Sequence, residues 1–180
     1  ATLPRSAASE EVPLEWNHWW PYEDKEITEE VFLANATLAT ELGFKVSTLD
    51  AGWFGAADVD TYWWDIRGDF GKENRARFPH GIAALADAVR ARGQRFGIWM
   101  EIEAVGLKAD VRREHPELMA RRDDDPPEAP LEADDPGFLG YICLGSEAGR
   151  AHVRNLLDTL VAKTRCAWIK VDFNLDPKAG

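Results

Sequence analysis

Apolar runs that are typical of buried strands alternate along the chain with segments whose apolar residues have helical spacing. The runs that predict strands are LEWNHWW, FKVSTLD, RFGIWMEIE and CAWIKVDFNLD. Helices are predicted from near Thr28, over IAALADAVRARG, at 107–114, and from about Ser146 to Lys163. This alternation favours a parallel sheet, because each helix returns the chain to the start of the next strand.

The ends of two predicted helices carry suitable stop and start residues. Thr28 is a favourable N-cap for the first helix, and Gly43 is a favourable residue just after its end. The helix at 107–114 is expected to stop at His115 and Pro116, because proline disfavours helical backbone in the residue before it.

The last predicted strand, within CAWIKVDFNLD, is apolar on both faces, as in a strand that is covered on both sides of a parallel sheet. Polar or aromatic residues nevertheless follow the carboxyl end of every predicted strand. These residues are Asn17 with Trp19, Asp50, Glu101 with Glu103, and Lys170 with Asp172 and Asn174. Ligands of parallel α/β folds bind at the carboxyl ends of the strands, so the pattern predicts one shared site.

Composition narrows the classes of protein that fit this pattern. With 180 residues and 45% apolar content the chain can form one globular domain, here predicted at 14–180 after a polar linker at 1–13. A net charge of −11 argues against a nucleic-acid partner. No membrane span or signal peptide is visible in this chain, which favours a cytoplasmic location. Cys143 and Cys166 show no metal or disulfide spacing and are expected to be small buried residues.

Four strand–helix units would form half of a (β/α)8 barrel, since a complete barrel needs about 250 residues. An open four-stranded sheet is the alternative. The blocks LDAGWFG, GDF, RFPHGIAALADAVRARGQRFGIWMEIEAV, HPELM and IKVDFN resemble, in order and spacing, consecutive blocks of glycoside hydrolase family 36, the melibiase-type α-galactosidases. The resemblance extends from about Leu14 to Asn174. It implies that the chain is the first half of a (β/α)8 catalytic barrel, the TIM-barrel fold.

The activity that this resemblance implies is that of a retaining α-glycosidase, which hydrolyses terminal α-linked sugars through a covalent glycosyl-aspartate. The expected partner is an oligosaccharide or another α-glycoside, no cofactor is required, and a homo-oligomer is left open. The family's acid/base aspartate comes from a later strand, so it is expected beyond Gly180.

The family's nucleophile block, Lys-Trp-Asp-x-Asn, corresponds to residues 170–174. The resemblance therefore implies that Asp172 is the nucleophile and that Lys170 and Asn174 lie beside the sugar hydroxyls. The chemistry is consistent, because a retaining glycosidase needs an ionised carboxylate and an adjacent lysine lowers the pKa of that carboxyl. A lone aspartate at a strand end would be explained better as a helix cap, and only the match of the whole block favours the nucleophile instead.

Further binding residues follow from the same resemblance. Trp19 matches a sugar-stacking tryptophan, and Phe70 takes the place of the tryptophan in the Gly-Asp-Trp block. Asp50 matches the first of two adjacent aspartates that hold the 4- and 6-hydroxyls of galactose in the family. The second of these is Ala51 here, which predicts weaker selectivity for galactose, because a lost charge-assisted hydrogen bond costs about 1.5–3 kcal/mol.

Other departures from the family pattern also bear on the choice of sugar. The arginine expected before YICLG is absent, Cys143 stands at a usual aspartate position, and Ile102 replaces the proline between Glu101 and Glu103. For the remaining aromatic residues, core packing is the expected role. These are Trp53, Trp63, Trp64 and Trp99.

Two alternatives to a glycosidase remain at this level. One is a carbohydrate-binding or inactive relative that has lost part of the sugar site. The other is a metal-dependent barrel enzyme in which Glu101, Glu103 and Asp172 bind a divalent cation, with both glutamates on one side of the third strand. The main prediction includes no metal site.

Overall fold

A parallel sheet of four strands forms the centre of the computed structural model, which describes residues 10–55, 62–121 and 140–174. The strands are β1 Glu15–Asn17, β2 Val46–Leu49, β3 Arg95–Met100 and β4 Trp168–Val171. They pair in chain order, β1-β2-β3-β4, and each pairing is parallel. The predicted parallel arrangement is therefore confirmed.

Helices connect these strands. Their bounds are α1 Trp19–Tyr22, α2 Glu29–Glu41, α3 Trp63–Ile66, α4 Ile82–Ala91, α5 Asp110–Glu114 and α6 Glu147–Thr164, with a 3₁₀ turn at Pro116–Leu118. The predicted cap at Thr28 is present, since its hydroxyl accepts a hydrogen bond of 3.2 Å from the backbone N–H of Val31. The one-turn helices α1 and α3 were not expected from the sequence.

The pairing register places the polar strand residues on one face of the sheet. Paired residues of parallel strands point to the same side, and here Thr48 pairs with both Asn17 and Gly97, while Lys170 pairs with Trp99. Gly97 is required, because a Cβ there would lie 2.3 Å from Thr48 Oγ1. Asp50 lies two residues after Thr48, and Asp172 lies two residues after Lys170, so both aspartates point to this same face.

The opposite face of the sheet is covered by helices. Phe32 of α2 is fully buried and contacts the rings of Trp16 and Phe96, with centroids 5.2 and 6.4 Å away. Leu49 and Ile98 belong to the same buried cluster. Burial of a side chain of this size stabilises the fold by about 1.5–3 kcal/mol. This core anchors β2 and β3, the strands that hold the middle of the site.

In the residues that the structure describes, the last strand is not covered on both faces. Val171 is 43% exposed and Phe173 is 67% exposed. The reason is positional, because β4 pairs only with β3 in the described sheet and is its edge strand. Apolar composition alone does not separate an edge strand from a central one.

The third strand is shorter than predicted. It ends at Met100, and the chain then turns, with the N–H of Ala104 donating to the carbonyl of Glu101 at 3.2 Å. Strand alternation therefore does not extend to Glu103, and the expectation that both glutamates share one face of a strand is wrong.

Neither cysteine is paired, and both Cys143 and Cys166 are half-buried, so they are less enclosed than predicted. In the described ranges, no helix combines the length and the apolar character that a bilayer span requires. The predicted linker at 1–13 lies mostly outside the described residues, and its status stays a prediction.

Candidate active site

A pocket opens at the carboxyl ends of the strands and brings together most of the predicted site residues. Its walls are formed by Trp19, Asp50, Ala51, Trp63, Trp99, Lys170, Asp172 and Asn174. Its volume of about 50 Å³ is well below the roughly 300–1,000 Å³ of a small-molecule site. A pocket of this size cannot enclose a sugar by itself.

Lys170 lies between two carboxylates. Its Nζ is 2.8 Å from Asp50 Oδ2 and 3.9 Å from Asp172 Oδ2. A cation in this position attracts both carboxylates, offsets their mutual repulsion and favours the ionised form of Asp172. β4 is responsible for the arrangement, because Lys170 and Asp172 are two residues apart in extended chain and so point to the same side.

Asp172 accepts hydrogen bonds on both oxygens. The indole Nε1 of Trp99 donates to Oδ2 at 3.0 Å, and the backbone N–H of Phe173 donates to Oδ1 at 2.9 Å. Partial burial raises the pKa of Asp172, but these two hydrogen bonds, the charge of Lys170 and the side chain of Asn174 together hold the pKa below its usual value. The carboxylate is therefore ionised at neutral pH, and it is still 35% exposed.

Asp50 is almost fully enclosed and has a different set of partners. Asn17 Nδ2 donates to Oδ2 at 2.6 Å, and the N–H of Ala51 donates to Oδ1 at 2.9 Å. Its own N–H donates to Nδ1 of His18 at 3.0 Å. Together with Lys170, these contacts fix both the backbone and the carboxylate of Asp50.

Glu101 holds the turn that follows Asp172. It is 2% exposed, accepts a hydrogen bond of 2.5 Å from the N–H of Asn174, and forms an ion pair of 3.3 Å with Arg67. Burial raises the pKa of Glu101, and these two contacts oppose that effect only in part. Arg67 is also buried, with its guanidinium 3.6 Å from the ring centre of Trp64.

The metal-site alternative is not favoured by this geometry. Both oxygens of Glu101 are already in use, on Asn174 and Arg67. Within the part of the chain that the structure describes, no group of three His, Cys, Asp or Glu side chains is arranged to hold a metal ion.

Aromatic rings form the apolar wall of the pocket. Trp63 packs edge-to-face against Trp19 and Trp99, with ring centres 5.5 and 5.4 Å apart. Core packing was the predicted role of Trp63 and Trp99, and both are indeed buried, but both also line the pocket. The role of Trp99 as a pocket residue could have been predicted from the sequence. It lies two residues before Glu101, so both side chains point to the same side of the extended chain.

Phe70 is the predicted site residue that the structure does not bring to the pocket. It is 5% exposed and packs against Trp53, Phe54 and Trp99, with ring centres 6.0, 4.7 and 6.2 Å away. This position supports Trp99 from behind. A direct contact with a sugar stays a prediction.

Comparison with known proteins identifies the family. The melibiase family model matches residues 3–176. Alpha-galactosidase 1 of Pediococcus pentosaceus is 31% identical over 137 residues, which is 76% of this chain and 17% of that protein. Alpha-galactosidase Mel36A of Lactobacillus acidophilus is 31% identical over 140 residues, again covering 76% of this chain and 17% of the relative. The chain thus spans about a fifth or less of the length of these relatives.

Solved structures give the same result. The α-galactosidase of Lactobacillus brevis superposes with a TM-score of 0.74 at 25% identity, over 93% of this chain and 21% of the other. The family 36 enzyme AgaA of Geobacillus stearothermophilus gives a TM-score of 0.73 at 26% identity, over 94% and 22%. The four strands therefore correspond to part of a TIM barrel, as predicted. The chain belongs to the melibiase family of glycoside hydrolases, family 36.

Proposed function

We propose that the full-length protein hydrolyses terminal α-galactosides and related α-glycosides with retention of configuration, and that Asp172 is its nucleophile. The observation that carries this proposal is the position of Lys170, 2.8 Å from Asp50 and 3.9 Å from Asp172 at the strand ends. Family membership supports the reaction class. A variant of AgaA has been solved in complex with raffinose, which supports an oligosaccharide as the substrate.

Two carboxylates face Lys170, and their different surroundings support different roles for them. Asp50 is 4% exposed and its carboxylate accepts hydrogen bonds from Asn17, Lys170 and the Ala51 amide, which suits a fixed binding group. Asp172 is 35% exposed, and its pKa is held low. An accessible, ionised carboxylate at the pocket surface is what nucleophilic attack requires.

The reaction follows in two balanced steps. An oxygen of Asp172 attacks the anomeric carbon, the bond to the leaving oxygen breaks, and that oxygen takes a proton from an acid group, which leaves a glycosyl ester on Asp172. Water then attacks the same carbon and gives its proton to the acid group. Aspartate is released and the sugar regains its original configuration.

The acid group must lie about 5–5.5 Å from the nucleophile. Among the described residues, Asp50 and Glu101 are the carboxyl groups bonded to neighbours of Asp172, and both are committed to structural hydrogen bonds. We therefore assign proton donation to another part of the full-length protein.

The pocket walls suit a pyranose with one polar edge and one apolar face. Asp50, Lys170 and Asn174 can exchange hydrogen bonds with hydroxyl groups. Trp19 and Trp63 present ring surface to C–H groups. We expect the sugar to lie between these walls, with its anomeric carbon next to Asp172.

Chemical rescue of the full-length protein tests the nucleophile. In Asp172→Gly, turnover of an activated aryl α-galactoside should fall by about 10⁴-fold or more, because the covalent step is lost. Added azide should restore turnover and give β-galactosyl azide, since azide enters from the face that Asp172 vacates. The matched control is Asp158→Gly, at an exposed position on α6, which should keep wild-type turnover.

Wild-type product analysis tests retention independently. Proton NMR should show the α-anomer of galactose first, followed by slow mutarotation. Release of the β-anomer first would contradict the retaining mechanism. Galactose binding by the wild type without any turnover would instead identify a sugar-binding relative.

A further inference from the structure

His18 is a fully buried histidine beside the proposed sugar site, and none of the steps above uses it. Its exposed fraction is 0%. Its Nδ1 accepts a hydrogen bond of 3.0 Å from the backbone N–H of Asp50, a residue 32 positions away in the sequence. The imidazole also packs edge-to-face on Phe32, with ring centres 6.2 Å apart.

The hydrogen bond from Asp50 defines the tautomer of His18. Because Nδ1 accepts, the ring proton of the neutral form is on Nε2. Nε2 is buried and makes no hydrogen bond of normal geometry within the described part of the chain. Burial lowers the pKa of His18 to about 4. The charge of Lys170 also lowers this pKa, whereas the charge of Asp50 raises it. Weaker interactions of the ring with the backbone of Ala51 and Glu23 also oppose the fall in its pKa. The ring is therefore neutral at neutral pH.

We propose that His18 is a positioning residue for the sugar site, and that its Nδ1 lone pair fixes the backbone of Asp50 so that the carboxylate meets Lys170 and the substrate. This inference rests on the proposed function, because it concerns how the same pocket holds a sugar.

Three consecutive residues, from the end of β1 to the start of α1, support this role. Asn17 Nδ2 donates to the Asp50 carboxylate at 2.6 Å, His18 accepts from the Asp50 backbone, and Trp19 forms a wall of the pocket. Asn17 also orders the turn itself, because its Oδ1 accepts from the N–H of Trp19 at 2.8 Å. The segment thus holds Asp50 at two separate points.

An ordinary core residue would explain His18 less well. A buried Nε2–H without a hydrogen bond is unfavourable, and an apolar side chain of similar size would avoid that cost. An apolar side chain, however, would leave the N–H of Asp50 without an acceptor in the same enclosed space. The functional demand is therefore on Nδ1 rather than on the volume of the ring.

Two polar substitutions of His18 separate these explanations in the full-length protein. His18→Asn places an amide oxygen at the former position of Nδ1, whereas His18→Gln places it near Nε2. Two constants are measured, the dissociation constant of 1-deoxygalactonojirimycin and KM for an aryl α-galactoside. We expect both to rise roughly tenfold in His18→Gln, because the misplaced acceptor leaves a buried donor unsatisfied. In His18→Asn we expect both to rise less than about threefold. The effect should be smaller on kcat than on KM, because Asp172 is untouched.

His152→Gln provides the matched control, because His152 is half-buried on α6 and its Nε2 likewise has no hydrogen-bond partner in the described residues. It should bind the inhibitor as the wild type does. Equal affinities for the wild type and His18→Gln would overturn the inference. So would equal losses in His18→Asn and His18→Gln at similar thermal stability, since shape rather than the acceptor would then decide. If the wild type itself fails to bind the inhibitor, the proposed function fails and not this inference alone.

Discussion

The indole Nε1 of Trp99 donates a hydrogen bond of 3.0 Å to Oδ2 of Asp172, joining the end of β3 to the proposed nucleophile directly after β4. This donor favours the carboxylate over the acid and also orients it. In Trp99→Phe the aromatic ring is retained while the donor is lost. We expect the acid limb of the kcat/KM profile to move to higher pH, because the pKa of Asp172 rises, and kcat to fall roughly tenfold.

Trp53→Phe is the matched control for that change. Trp53 is also buried, and its Nε1 donates at 3.0 Å to the backbone carbonyl of Trp99 instead of to a carboxylate. Its loss should lower stability by about 1 kcal/mol and leave the acid limb in place. An equal displacement of the acid limb in both variants would show that the indole of Trp99 acts through packing.

Removal of the bridging cation should impair binding and chemistry together. In Lys170→Met the two carboxylates of Asp50 and Asp172 lose the charge that offsets their repulsion, so the pKa of Asp172 should rise. We expect kcat/KM for an aryl α-galactoside to fall about 100-fold. Lys170→Arg should recover only part of this loss, because the guanidinium is larger and planar. Full activity in Lys170→Met would refute the role of the cation.

Ala51 should weaken the preference for galactose. It is 1% exposed and lines the pocket directly beside Asp50, so no second carboxylate is available at this position. A panel of aryl α-glycosides should show less discrimination by the full-length protein than by a relative with two aspartates. Ala51→Asp should increase the discrimination in favour of galactose by roughly tenfold, because it adds one charge-assisted hydrogen bond. A wild type that already has strong galactose selectivity would contradict this prediction.

Arg67 and Glu101 should stabilise the fold only when both are present. Both side chains are at most 3% exposed, so removal of one partner leaves a buried charge. We expect Arg67→Met to lower stability by about 3–5 kcal/mol and Arg67→Met with Glu101→Gln to recover part of that loss. Thermal unfolding of the single and double variants measures the coupling, and strictly additive losses would show that it is absent.

His18 should make the fold sensitive to mild acid. The unfolded chain takes up a proton near pH 6.5, whereas folded His18 does so only at about pH 4. Stability is therefore lost as the pH falls through this window, by an amount on the order of 3 kcal/mol. Melting temperatures at pH 7 and pH 4.5 should differ less in His18→Asn than in the wild type. An unchanged difference would mean that another group titrates.

A polypeptide of these 180 residues alone should associate and lack turnover of unactivated α-glycosides. Val171 is exposed on the edge strand and Phe173 is exposed just after it, and the unpaired backbone groups of this strand also invite pairing. Asp172 would be in place, but no free acid group faces it among the described residues. Light scattering with an activity assay checks both points. A stable monomer that cleaves an α-galactoside would show that the acid lies within this chain.

Much of the fold follows from local pattern. Thr28 begins α2 as predicted, and the strand order follows from the alternation of strands and helices. The one-turn helix α3 could not be found this way, because it depends on Asp24, whose carboxylate accepts from the N–H of Trp63 at 3.2 Å. His18 was missed for the same reason, since its partner is distant in sequence and no spacing rule links the two.

The exposure of β4 in the described sheet does not follow from its composition, because composition records what a segment can bury and not which neighbours it has. Site residues at strand ends were easier to predict. Asp50, Lys170 and Asp172 mark the points where an apolar run stops, and the parallel topology brings those points to one edge. Trp63, in contrast, reaches the pocket from the one-turn helix α3, which lies between β2 and β3 in the sequence.

The register between β3 and β4, in which Trp99 pairs with Lys170, has a consequence for enzyme engineering. A slip of one residue would turn Lys170 and Asp172 toward the helices and leave Asp50 in the pocket without its cation. The site is therefore a property of the paired strands and not of a residue constellation that can be copied by itself. A designer who moves this chemistry to another barrel would need to transplant β2, β3 and β4 as one unit, together with the glycine at position 97 that lets β2 and β3 approach.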